Sequence, residues 1–141
     1  MSWRDIRPVA LGIARRGDEV LLSRLHDEAA DETFYRPIGG GVEFGEQSDQ
    51  ALAREFEEEL DLEVVDETHL ATLERTFTFN GNEGHEITFL YEVSFAESWP
   101  YDREEFQGEE TELEETYRAF WKPLDELDDM TVYPEALPSF L

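Results

Sequence analysis

The chain reads as a layered domain of the α/β (α+β) class, and three observations predict it. The apolar segments are mostly short and rich in Val, Ile, Leu, Phe and Thr, as strands are. One segment, Ser48–Leu60, instead carries Ala51, Leu52, Phe56 and Leu60 at helical spacing, shortly after a run of glycines. The chain has 141 residues, 40% of them hydrophobic, with 10 Phe, 5 Tyr and 3 Trp. That is enough apolar material for a single core, so residues 1–141 are read as one domain without internal repeats or a flexible linker.

The elements follow in order. Val9–Ala14 is a strand, Arg16-Gly17-Asp18 a turn and Val20–Leu22 a second strand, together a hairpin. His26–Thr33 is polar and acidic and reads as a loop. Phe34–Ile38 is extended because Pro37 disfavours helix before it. Gly39-Gly40-Gly41 is expected to break regular structure, and the helix Ser48–Leu60 follows. Strands return at Leu70–Phe79 and Ile87–Phe95, joined by the turn Asn80–Gly84. Trp99–Glu115 reads as an acidic loop, Tyr117–Trp121 as the last strand, and Pro134–Leu141 as a short terminal helix with Pro134 near its first turn.

Composition excludes several functions. There is no cysteine, so thiol nucleophiles, thiolate zinc sites and a need for an oxidising compartment drop out. There are 36 Asp and Glu against 11 Lys and Arg, a formal net charge of −25, with Lys122 the one lysine. Such a surface repels nucleic acid polymers and anionic membranes. It also repels itself in dilute salt, and acid excess with scarce lysine is the composition of proteins from halophilic, salt-accumulating cells. No stretch reaches the ~20 apolar residues of a membrane span, and no targeting segment is visible, so the expected compartment is the cytoplasm.

The chemistry concentrates in Gly40–Leu62. On a helical wheel with Glu55 at zero, Glu59 falls at about 40°, Glu58 at about −60° and Glu57 at about 200°. Leu52, Phe56, Leu60 and Ala53 fall between about 60° and 160°. Three carboxylates, Glu55, Glu58 and Glu59, therefore share a face beside an apolar stripe. In a chain this acidic, a glutamate run alone is a solvated face. The ordered pattern, Gly40, Glu46, Arg54-Glu55-Phe56, Glu58-Glu59 and Leu62, is more specific. Clustered carboxylates at a cleft need a counter-charge, and hard divalent cations prefer oxygen ligands. Such a metal neutralises phosphoryl charge and activates water, so the arrangement points to metal-assisted hydrolysis of a phosphoanhydride.

This segment resembles the Nudix box, the 23-residue signature of Nudix hydrolases, including MutT-like members. Gly40, Glu46, Arg54, Glu55, Phe56, Glu58, Glu59 and Leu62 match it, and Asp61 departs from it where the family has Gly. Asp61 follows the helix, where a left-handed residue is common and Asp tolerates that conformation. Phe34-Tyr35-Arg36-Pro37 before the box and Ala119–Leu127 near the C-terminus also look like the family. The resemblance implies a Nudix-type α/β/α sandwich with a mixed β-sheet. It implies hydrolysis of a nucleoside diphosphate linked to another moiety X, a small nucleotide-derivative substrate. The alternative is a Nudix-fold module that binds nucleotide without catalysis, which usually lacks box carboxylates that this chain retains.

By the same resemblance, Glu55, Glu58 and Glu59 would bind Mg²⁺ or Mn²⁺, with the Gly40 carbonyl as a further ligand. Glu46 and Arg54 would brace loop and helix. A general base outside the box is sought among Glu109, Glu110, Glu112, Glu114 and Glu115, with Glu115 chosen. Arg24 and Arg36 are candidates for substrate phosphates and Trp99 for stacking on a base. His26, His69 and His85 lack metal-ligand spacing. The markers of several subfamilies are missing: no proline lies in Thr76–Asn80, and Phe77 and Phe79 stand where a tyrosine marks dinucleoside polyphosphate hydrolases. A homodimer is compatible with the sequence.

Overall fold

A computed structural model describes residues 5–110 and 115–141. The elements are β1 (Ile6–Arg16), β2 (Glu19–Asp27), β3 (Glu32–Arg36), β4 (Ile38–Gly41), α1 (Ser48–Leu60), β5 (Val64–Phe79), β6 (Asn82–Phe95), β7 (Glu105–Glu110) and β8 (Glu115–Pro123). Short 3₁₀ turns cover Trp99–Asp102, Leu124–Asp129 and Leu137–Phe140. The sheet runs β5-β6-β1-β2-β8-β7, with β4 added on β1 and β3 on β2. β1 and β6 are parallel and the other named pairs antiparallel, so the sheet is mixed.

β1 organises the molecule. Its run Val9–Ala14 is apolar throughout because both faces are covered. Ala10 and Ala14 face one core cluster with Ala51, Leu52, Phe56 and Leu60 of α1. Val9, Leu11 and Ile13 alternate to the other face, with Leu127, Val132 and Leu137. The small residues stand on the helix side for a steric reason: a Cβ on Gly12 would lie 2.7 Å from the Phe56 ring, so the helix sits directly on the strand. β1 meets β2 only at Arg15↔Val20 and Arg16↔Glu19. Beyond that hairpin the two strands diverge, one carrying β4 and β6, the other β3 and β8.

Four expectations change. The far layer is made of 3₁₀ turns rather than α-helix, and the terminal helix is only Leu137–Phe140. Pro134 and Pro138 withhold the amides that successive α-helical bonds would need. Residues His26–Thr33 are mostly strand, as β2 runs to Asp27 and β3 begins at Glu32. The buried Asp27 carboxylate accepts the Ala30 and Asn80 amides, which ties this hairpin end to the β5–β6 turn. The glycine run is not a break but part of β4, pairing Gly39, Gly40 and Gly41 with Leu11, Ala10 and Val9. Within Trp99–Glu115 lies a further strand, β7, whose Phe106 is buried while Glu105 and Gln107 are exposed. Its alternation is short and acidic enough to read as loop. Among the described residues no helix is long and apolar enough to cross a membrane.

Candidate functional site

α1 begins with a reciprocal cap: Gln50 Oε1 accepts the Gln47 amide, and the Gln47 side chain accepts the Gln50 amide. It ends at Asp61, which is left-handed at φ 56°, with the Asp61 and Leu62 amides donating to the Glu57 and Phe56 carbonyls. Aspartate therefore closes the helix where glycine would be the easier residue. The buried residues of α1 are Ala51, Leu52, Glu55, Phe56, Glu59 and Leu60. Ala53, placed by the wheel at the rim of the apolar stripe, is exposed, and Ala51 takes the opposite rim. The buried arc is thus shifted toward the acids. Glu55 and Glu59 lie within it, 4% and 5% exposed, and Glu58 lies at its edge.

Arg54 holds this arc to the preceding loop. Its Nε and Nη2 donate to Glu46 Oε2 and Oε1 at 2.8 and 2.9 Å, a bidentate contact. Nη2 also donates to the Gly41 carbonyl at 2.9 Å, and Nη1 to Glu55 at 3.0 Å and Glu58 at 3.3 Å. Glu43 Oε1 lies 3.8 Å away. The hydrogen bonds from Arg54, then that from the Glu43 amide, hold the Glu46 carboxyl down at about 2. The same contacts, with Glu46 first among them, raise the Arg54 guanidinium above its ordinary value despite burial. One cation thus stands against four carboxylates, a local excess of negative charge with oxygen donors only.

β4 brings its glycines against this cluster. A Cβ on Gly40 would lie 2.5 Å from Glu55 Cδ and 2.6 and 2.7 Å from its oxygens. Only glycine lets the backbone approach the carboxylate so closely. The donor set, carboxylates beside a bare backbone, suits a hard divalent cation. Among the described residues no three His, Cys, Asp or Glu side chains are gathered in metal-ligating geometry, and Glu55 and Glu58 both turn to Arg54.

The remaining candidates are dispersed. Glu115 starts β8, exposed and opposite Glu110. Glu109 lies on β7, and Glu112 and Glu114 lie outside the described residues. Arg24 and Arg36 sit on adjacent strands, but Arg36 pairs with Ser23 and Arg24 with Tyr35. The pleat therefore sends their side chains to opposite faces. Trp99 is half-buried in its 3₁₀ turn, edge-on to Phe106 at 5.2 Å, with Arg103 over its ring at 4.9 Å.

A second charged pair had no sequence signal. Arg75 of β5 faces Glu86 of β6 across the ladder, with N···O 3.5 Å. Glu86 is 4% exposed. Burial pushes the Arg75 guanidinium below its usual value, and the charges of Glu86, Arg36 and Glu135 also act on it. Arg75 lies over the rings of Phe77 at 4.6 Å and Tyr133 at 5.4 Å. In β6 the obvious apolar register is Ile87, Phe89, Tyr91, Val93, which assigns Glu86 and Thr88 to solvent. Both are buried because the sheet is covered on that side too.

Known proteins agree with this architecture. The chain superposes on a MutT NUDIX hydrolase from Burkholderia pseudomallei with TM-score 0.70 and 21% identity, covering 96% of each chain. A NUDIX family hydrolase from Clostridium perfringens gives TM-score 0.63 and 18% identity over 96% of this chain and 91% of that one. A MutT structure from work on Aliivibrio salmonicida and Vibrio cholerae gives 0.60 and 22% over 94% and 90%. The family model for the NUDIX domain matches residues 5–140, so the chain belongs to the Nudix family.

Proposed function

We propose that the protein is a pyrophosphohydrolase that cleaves the phosphoanhydride of a small nucleoside diphosphate derivative with the help of Mg²⁺ or Mn²⁺. The observation that carries this reading is the excess of carboxylate around Arg54, set against the bare backbone of Gly40. Glu55, Glu58, Glu59 and the Gly40 carbonyl would hold the metal. When bound, the metal supplies neutralisation of phosphoryl charge and activation of water.

The chain's own residues do the rest. Glu46 and Arg54 lock α1 to the loop after β4, so the carboxylates keep their places without a cation and are preorganised when one arrives. Arg36, four residues ahead of Gly40, lies in the electrostatic reach of Arg75 and forms the cationic side that binds the anionic substrate. Glu115 is the proton acceptor from outside the box. The net charge of −25 keeps free polyanions away, so a metal-complexed substrate is favoured.

A substrate panel tests the reading. Folded protein is incubated with nucleoside triphosphates, oxidised dGTP, ADP-ribose, NADH, dinucleoside polyphosphates and nucleotide sugars, in low and molar KCl. The expected result is turnover of one class that EDTA removes and Mg²⁺ or Mn²⁺ restores. Tight nucleotide binding with no product in either salt would replace the enzyme with a binding module.

A further inference from the structure

The face of the sheet that carries Arg24 gathers three cations, with Glu105 and Glu109 of β7 on the same face. Arg24 of β2 is directly opposite Arg118 of β8, and Arg118 is directly opposite Gln107 of β7. With Thr116 and Tyr117 these residues line a cavity of about 350 Å³. Two rungs along, Lys122 of β8 shares the same face. This face is not the one that carries the carboxylate cluster. Leu21, Ala119 and Trp121 alternate toward α1, whereas Leu22, on the Arg24 side of β2, belongs to the opposite core cluster.

Like charges directly opposite in a ladder destabilise it. In a chain with 36 acidic residues, carboxylates are the ready remedy. Arg118 does meet Glu105 at 3.2 Å. Among the described residues, no carboxylate lies within 4.0 Å of Arg24 or of Lys122. Both cations lie over Phe120 instead, at 4.8 and 4.9 Å, and Lys122 also lies over Tyr35 at 5.2 Å. Rings hold cations in place without neutralising them. The result is a pre-ordered group of cations in which Arg24 and Lys122 are held by rings and Arg118 by Glu105, on a protein of charge −25.

We propose that the Arg24–Arg118 cavity, with Lys122 beside it, is a binding site for a phosphate-class oxyanion, separate from the carboxylate cluster. Two guanidinium forks side by side match the geometry of phosphate oxygens, and the Gln107 amide adds a neutral donor. Bound oxyanion removes the Arg24–Arg118 repulsion, so the ladder itself gains from occupancy. The acid excess of the chain as a whole disfavours polyanions, so the patch suits a small ligand. Inorganic phosphate, pyrophosphate and the phosphate tail of a nucleotide share this chemistry.

Calorimetric titration of the metal-free protein in EDTA, at matched ionic strength, reads this site apart from any hydrolysis. The ligands are orthophosphate, pyrophosphate and a nucleoside triphosphate. Binding is expected for wild type and for Glu59→Gln, and is expected to weaken at least tenfold in Arg24→Gln and in Arg118→Gln. Arg24→Lys, which keeps the charge and loses the fork, is expected to fall between. Pyrophosphate matching the triphosphate would identify an inorganic ligand, and a tighter triphosphate would identify a nucleotide tail. In a parallel NMR titration, pyrophosphate is expected to shift the Arg24 and Arg118 Nε–H signals. The site is refuted by absence of binding in wild type, by equal binding in both arginine-to-glutamine variants, or by loss in Glu59→Gln alone.

Discussion

Arg54 on α1 has the carboxylates of Glu43, Glu46, Glu55 and Glu58 within 3.8 Å of its guanidinium, whereas Arg75 on β5 has Glu86 at 3.5 Å and two aromatic rings. The two arginines are similarly covered, with side chains 23% and 20% exposed. Their proton affinities nevertheless move in opposite directions. Crowded acids raise Arg54, while burial with a single distant partner lowers Arg75. At Arg75 burial outweighs the nearby acids, whereas at Arg54 the crowded carboxylates outweigh burial. Around Arg54 negative charge is in surplus and a cation is wanted. Around Arg75 and Arg36 two cations face Glu86 and Glu135, so acid is not in excess there.

The sharpest way to break the comparison is to remove charge from the acid-rich side. Glu59→Gln is expected to lower kcat by on the order of 10³-fold, the scale of lost metal charge stabilisation, with the circular dichroism spectrum unchanged. Retained turnover would remove Glu59 from the ligand set. Next come the arginines themselves. Arg54→Met leaves several carboxylates facing one another and is expected to cost about 3–5 kcal/mol in urea unfolding. Arg75→Met loses two ring contacts and leaves the buried Glu86 carboxylate without this partner, and is expected to cost about 2–3 kcal/mol. Equal costs would mean that partner number is not what separates them.

Gly40→Ala moves the backbone rather than the charge. The new Cβ collides with the Glu55 carboxyl, and a displacement approaching 1 Å is expected to cost about 10²-fold in kcat. Activity at the wild-type level would show that the Glu55 carboxylate can move without consequence. The smallest effect lies in pH. The Glu46 carboxyl is held at about 2 in the folded chain against an ordinary 4.5. Its stabilisation is therefore complete above pH 4.5, is lost as pH falls toward 2, and is absent below that. Acid unfolding of wild type and Glu46→Gln should differ most near neutrality and converge between those values. A constant gap down to pH 2 would show that Arg54 is not the cause.

Much of the candidate site was legible because it lies on one helix. Helical periodicity alone brings Glu55, Glu58 and Glu59 to neighbouring angles, and Ser48–Leu60 is helical over that whole span. The wheel located the apolar stripe beside the acids, whereas burial reaches Glu55 and Glu59 themselves, since β1 and β4 both press on α1. Strand β7 was illegible because its alternation is written in Glu and Gln around a single Phe. The glycines of β4 look like a break in sequence because glycine disfavours strands in general, but β1 supplies a partner for each. Arg75 and Glu86 are far apart in sequence pattern and become neighbours only through the β5–β6 register.

The amino-acid order settled what is local or periodic: the fold class, the span of α1, the left-handed position of Asp61 and the spacing of the box carboxylates. These follow from backbone preference and from angles within one element. The fold alone decided what depends on partners. It chose which acids share Arg54, which glycine abuts Glu55, and that Arg24 and Arg36 leave their strands on opposite faces. Those outcomes rest on strand register and on which layer covers each face. A one-residue change in pairing would reverse them while leaving every local preference intact.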